Sequence, residues 1–225
     1  MSPRKHSEGL PLLKKAKPVS VAEQAASTLR DAILSGQFKP GDRLVERHVA
    51  DAVGVSLASI RDALQQLHRE GLVNRTANTA TYVTDLSPAR FKNMIDVRLL
   101  LEPTAMVLAC RNITPININS LQLRAAEIKQ LVTNNDFYHV SRADFAFHQE
   151  IWQISGNETL ERMLTQLCTP IFAFLMIVMS AKRDSLGERI VPHQPLVDAL
   201  KSRNEKEVDA YARAHILSSM RNFPE

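Results

Sequence analysis

ERHVADAVGVSLASIRDALQQLHREGLV, residues 46–73, decides the reading of this chain. Glu46 to Val53 fits a short helix closed by Gly54, and Val55-Ser56 leads into another from about Leu57 to Glu70, closed by Gly71. Ile60, Leu64 and Leu67 lie on one face of the longer helix, at the spacing of a buried stripe. Upstream, Ala22, Ala25, Ala26, Leu29, Ile33 and Leu34 repeat at three- and four-residue steps up to Ser35-Gly36, and Pro40-Gly41 marks a turn. Downstream, Leu72-Val73 and Thr81-Tyr82-Val83 are short β-rich runs around a polar loop, Arg75 to Ala80. Helix, short helix, turn, helix and β-hairpin make a winged helix-turn-helix plan over residues 19–85. Its last helix offers Ser56, Ser59, Arg61, Gln65 and His68 on a polar face suited to a DNA major groove. The same geometry also occurs in protein-interaction domains, so pattern alone leaves both open.

After Leu86 the character changes. Ser87 can cap a helix with Pro88 at its first position. Helices are expected at about 88–111, 115–133, 136–155, 158–182, 188–202 and 205–221, which makes residues 88–222 an all-helical domain. The fold class is mainly α. Scarce glycine (7 residues) and 5% aromatics argue against a β-sandwich and a Gly-rich nucleotide fold. The longest apolar run, Ile171 to Met179, is too short to span a bilayer, and the N-terminus lacks the apolar region of a signal peptide. Cys110 and Cys168 sit in helix-like apolar contexts and read as core thiols of a reducing compartment. A soluble, intracellular chain is expected.

Charge is concentrated at one end. Arg4, Lys5, Lys14, Lys15 and Lys17 face only Glu8, so residues 1–18 form a flexible basic arm carrying the whole net charge of +4. Such an arm can contact phosphate, or simply be a solvated tail.

The sharper constellation is in the second half. Asp144 and His148 are four apart and project from one helix face, while His193 and His215 belong to two later helices. One carboxylate and three imidazoles suit a divalent metal such as zinc, nickel or manganese. A histidine on an amphipathic helix is more often packed or solvated than ligating, so both readings stand. No G-x-S-x-G, P-loop, H-E-x-x-H or C-x-x-C pattern is present.

Leu29-Arg30-Asp31-Ala32-Ile33-Leu34-Ser35-Gly36, Pro40-Gly41-Asp42-Arg43-Leu44, Arg61-Asp62-Ala63-Leu64 and Glu70-Gly71-Leu72-Val73 resemble the DNA-binding domain of the GntR family of bacterial transcription regulators. Val97-Arg98 with Leu101-Glu102-Pro103, Asp144-Phe145-Ala146-Phe147-His148, Ser155-Gly156-Asn157, His193 and Ala214-His215 resemble the FCD ligand-binding domain of its FadR-like subfamily, a bundle of six to seven helices. The resemblance implies a cytoplasmic, homodimeric, metabolite-responsive regulator, with repressor the preferred sign, on a palindromic DNA operator. It implies no enzyme. It also implies a divalent metal held by Asp144, His148, His193 and His215, and a small organic acid effector paired with Arg98. Arg98 can equally form a salt bridge with Glu102 or another acid.

On the DNA side, Arg47, Arg61, Ser56 and Ser59 match family positions that touch DNA. Leu57 replaces a common arginine, and Thr79-Ala80 replaces Arg-Gly at the wing tip, leaving Asn78 to take the unusual turn conformation. Leu57 cannot read a guanine edge, so either an operator unlike the commonest family consensus is expected, or weaker binding partly offset by the basic arm. Two rival readings are a metal-dependent enzyme acting on a small carboxylate, and a regulator whose metal site is purely structural.

Overall fold

The computed structural model describes residues 20–76, 80–182 and 186–219. The basic arm, Asn78 and Thr79 lie outside these residues. The N-terminal part runs α1 (Val21–Leu34), β1 (Arg43–Leu44), α2 (Glu46–Val53), α3 (Leu57–Arg69), β2 (Val73–Thr76) and β3 (Ala80–Val83). Ser20 and Ser56 cap α1 and α3, each accepting a backbone N–H at 3.1 Å. Gly54 takes the left-handed conformation that ends α2 (φ +75°). The β-hairpin is antiparallel, and its β3 also pairs with β1 in the order β1-β3-β2. Sequence gives Arg43-Leu44 only as the end of a turn, because two residues are too few to show alternation.

The C-terminal part is α4 (Pro88–Asn112), α5 (Pro115–Thr133), α6 (Phe137–Ile154), α7 (Glu158–Lys182), α8 (Leu186–Arg189), α9 (Gln194–Ser202) and α10 (Glu205–Ser219). Ser87 caps α4, and Thr114 with Asn117 forms a reciprocal capping box on α5. The helix read over 188–202 is two pieces, α8 and α9, separated by residues 190–193. Pro192 pushes Val191 out of the α region, and Pro195 fits the first turn of the new helix. His193 stands at the N-terminus of α9, at the start of that helix as expected.

By length and composition, Glu158–Ser180 of α7 is apolar enough to cross a membrane, which the short run Ile171 to Met179 conceals. Here α7 is the central helix, packed on α1, α4 and α6. An apolar circumference suits a helix buried on several sides. Ala173, Met176 and Ile177 of α7 complete the core built by Leu29, Ile33, Ile60, Leu64, Leu67, Val73 and Val83. The two halves therefore share packing. Arg30 reinforces the junction, donating through Nε (2.9 Å) and Nη2 (2.8 Å) to Glu70 while its guanidinium lies 4.8 Å from the Tyr138 ring centre.

At Gly71 the winged part comes close to α7. The residue has φ +76°, and a Cβ there would lie 2.8 Å from Thr169 Cγ2 and 2.9 Å from Thr169 O. Gly71→Ala is expected to cost at least about 2 kcal/mol, from left-handed strain plus overpacking. Thr169→Gly is expected to recover only part of the loss, because the carbonyl remains. Thermal melts of the two single variants and the double check this.

Candidate functional site

Helix α6 places Asp144 and His148 one turn apart on the side facing α9 and α10. His193 arrives from the N-terminus of α9 and His215 from α10, and one ligand-type atom of each of the four lies within 4.8 Å of the others. His193 Nε2 stands 2.7 Å from Asp144 Oδ1, His148 Nε2 stands 3.4 Å from the same oxygen, and the Nε2 atoms of His148 and His215 face each other at 3.2 Å. The three histidines are buried and Asp144 is half-buried. Ligands at right angles around a divalent ion, at bonds of about 2.1 Å, stand roughly 3 Å apart. The donor set and its spacing therefore fit a divalent cation.

The electrostatics favour the ligating forms of Asp144 and His215. Burial raises the Asp144 carboxyl, but neighbouring His193 and His148 outweigh it and hold the group well below the usual carboxylate range. Burial, with His148 and His193 alongside, pushes His215 well below the usual imidazole value, which favours the neutral form able to ligate. His215 Nδ1 is buried without a hydrogen-bond partner among the described residues.

Behind the four clustered side chains lies a residue with no site role in the sequence reading. Glu102 is fully buried on α4. Its carboxylate accepts from Arg98 Nε at 2.5 Å and from Trp152 Nε1 at 3.2 Å, and His148 Nδ1 sits 2.7 Å from its Oε1, off the hydrogen-bond axis. Burial raises the Glu102 carboxyl, yet Arg98 and His148 together depress it far below the normal range. The same carboxylate raises His148 against the downward pull of burial. A carboxylate behind a ligating imidazole fixes ring orientation and basicity. The i, i+4 spacing of Arg98 and Glu102 was the only sequence signal for this.

Of the two openings left for Arg98, the salt bridge with Glu102 is present. The guanidinium also stacks over Phe172 at 5.0 Å and lines a small cavity of about 50 Å³ with Asp144, His148, His193 and His215. Its bond to Glu102 runs through Nε, and its terminal nitrogens make no hydrogen bond among the described residues. Cys110 and Cys168 are buried free thiols, and burial pushes Cys168 up to about 12, as expected of inert core residues.

On the other half, Arg47, Ser56, Arg61 and Gln65 are exposed and Ser59 is half-buried, all on α2 and α3. The serines are partly spent on the helix itself, their hydroxyls meeting at 2.9 Å while Ser56 caps. Arg61 Nε and Arg75 Nη2 both donate to Glu46, at 2.8 and 3.1 Å. With Arg43 and Arg47 they line one groove of about 530 Å³ against the wing. The sequence reading missed Arg43 and Arg75, whose place depends on β1 and β2 pairing with β3. Leu57 packs against the core, which accounts for an apolar residue at that position.

The FCD domain model matches residues 93–218, and the model of bacterial regulatory proteins of the gntR family matches residues 21–83. The HTH-type transcriptional regulator McbR of Escherichia coli is 26% identical over 193 residues, covering 85% of this chain and 87% of McbR. The HTH-type transcriptional regulator LutR of Bacillus subtilis is 26% identical over 204 residues, covering 82% and 92%. Among solved structures, E. coli McbR/YncC superposes with a TM-score of 0.66 at 24% identity, covering 88% of this chain and 94% of that one. A putative GntR regulator of Rhodococcus sp. RHA1 gives 0.61 at 20% identity, covering 90% and 99%. These last two establish likeness of fold. The chain belongs to the GntR family of bacterial transcriptional regulators, with a winged helix-turn-helix domain followed by an FCD domain, and is a regulator and not an enzyme.

Proposed function

We propose that the chain is a cytoplasmic, homodimeric repressor that binds a palindromic operator through α3 and responds to a small organic acid. In this reading Asp144, His148, His193 and His215 hold a divalent ion, zinc, nickel or manganese, with the acid beside it. The observation that carries it is the convergence of four buried or half-buried ligand atoms within 4.8 Å, from three separate helices. The ion supplies a Lewis-acid position for a carboxylate oxygen. Arg98 supplies the counter-charge. With neutral imidazoles, the carboxylates of Asp144 and Glu102 against Arg98 and a dication leave one positive charge, which favours an anion. The cavity of about 50 Å³ holds only a few atoms as it stands. A larger acid has to move α4 or α9, and that movement can shift the spacing of two DNA-binding domains if the acid prefers one arrangement.

Exposed Val97 (43%) and Leu100 (70%), three residues apart on α4, support a self-association face. On DNA, Arg43, Arg47, Arg61 and Arg75 are assigned to phosphate and base edges, alongside Ser56, Ser59 and Gln65. Asn78 and Thr79 keep their assignment to the wing from the family likeness alone. Arg47→Ala is expected to weaken DNA binding across sequences and to reduce the log-affinity against log-salt slope by about 1 per subunit. Fluorescence anisotropy from 50 to 300 mM salt, roughly the range over which phosphate contacts dominate, measures it.

Thermal shift with acetate, malate and citrate, run before and after chelation, tests the effector reading. A rise in melting temperature that needs the metal supports it. A rival reading makes the metal purely structural, and it predicts that chelation unfolds the helical domain while no acid raises the melting temperature. Equal acid affinity for free and operator-bound protein would sink the coupling mechanism.

A further inference from the structure

A second cavity lies between the DNA-binding and helical halves, about 470 Å³ in volume against about 50 Å³ at the histidine cluster. It falls within the size range of small-molecule sites, and domain junctions are where such sites concentrate. Its floor is apolar, made by Leu72 from the winged domain and Phe145, Phe172 and Met176 from α6 and α7. Phe145 and Phe172 stand edge to face at 5.4 Å, presenting ring surfaces to the space.

The charge at its mouth is unbalanced. Arg69 of α3 and Arg142 of α6 line it and both are exposed. Glu70 is the one carboxylate of the lining, and it is already occupied: it accepts from two nitrogens of Arg30 and from Gln66 Nε2 at 3.2 Å. Arg142 reaches it only at 3.9 Å, and Arg69 makes no ion pair among the described residues. Arg142 also lies 5.9 Å from the Tyr138 ring centre, but three guanidiniums against one carboxylate leave the rim positive, and an apolar bowl with such a rim fits an amphipathic anion.

We propose that this cavity binds an aromatic organic anion, its ring on Leu72, Phe145, Phe172 and Met176 and its acid group between Arg69 and Arg142. Because Arg69 belongs to the winged domain and Arg142 to the helical one, an occupant ties the two together. It shares only Ser141 and Phe172 with the histidine cavity, so the proposal stands whether or not a metal binds there.

The test uses 8-anilinonaphthalene-1-sulfonate as fluorescent probe, titrated into the full chain. Saturable binding at one probe per chain is expected, with neutral N-phenyl-1-naphthylamine binding at least tenfold more weakly. The Arg69→Gln/Arg142→Gln pair is expected to lower probe affinity at least tenfold, and His193→Ala to change it less than twofold. Ala146→Trp, which fills the cavity and keeps both charges, is expected to abolish binding, and decides the matter if the arginine pair lowers the melting temperature. Non-saturable binding, equal affinity for the neutral analogue, loss of binding in His193→Ala, or retained binding in Ala146→Trp overturns the proposal.

Discussion

Elemental analysis of the purified protein is expected to find about one divalent ion per chain, and the His148→Ala/His193→Ala double variant is expected to lose it. Three imidazoles and one carboxylate give high affinity only as a set, since each ligand lost removes a bond and leaves the rest facing one another in a buried space. The double variant should bind at least 100-fold more weakly, more than the 10- to 100-fold typical of disturbing a residue behind a ligand. Acid should release the ion too. Imidazoles ligate only when neutral, so lowering the pH sets protons against the metal, first at His148, which Glu102 raises, and weakens binding. No metal in the native protein, even after incubation with zinc, nickel or manganese, would leave the four side chains as packing and hydrogen-bonding groups, with the family assignment and the DNA-binding half untouched.

Replacing Glu102 is expected to have the largest effect on stability. Arg98 and Glu102 are both buried, their side chains 3% and 0% exposed, and removing the acid strands a guanidinium in the core. Breaking such a pair from one side costs about 3–5 kcal/mol, whereas replacing both partners with apolar residues of similar size is often near neutral. Glu102→Ala should therefore lower the melting temperature sharply, and Arg98→Met/Glu102→Leu should recover most of it. Glu102→Gln separates packing from orientation. It keeps the shape and an acceptor for Trp152, but loses the charge beside His148, so metal affinity should fall about 10- to 100-fold in a folded protein. Trp152 is the chain's single tryptophan and touches Glu102, so its fluorescence reports both unfolding and changes at the cluster. Unchanged metal affinity in folded Glu102→Gln would confine Glu102 to neutralising Arg98.

The amino-acid sequence determined the local plan of this protein. Serines ahead of apolar stripes, glycines at helix ends and the β-rich runs around residues 75–80 gave the winged helix-turn-helix, because capping and periodicity act within a few residues. The same short range placed Asp144 and His148 on one helix face. It failed at residues 188–202, where Pro192 splits the helix, and at β1, a pairing too short to leave a pattern. Tertiary structure alone decided the rest. Only the packing of α9 and α10 on α6 brings His193 and His215 to Asp144, 49 and 71 residues away along the chain, into a cluster 4.8 Å across. Only burial turned Glu102 from one partner of a helical ion pair into the acid linking Arg98, Trp152 and His148. The merging of the winged domain's core with α7, and the cavity it leaves between Arg69 and Arg142, were equally invisible in the chain. Helix and turn preferences are written in neighbouring residues, whereas a site's charge balance depends on which distant groups packing excludes from water.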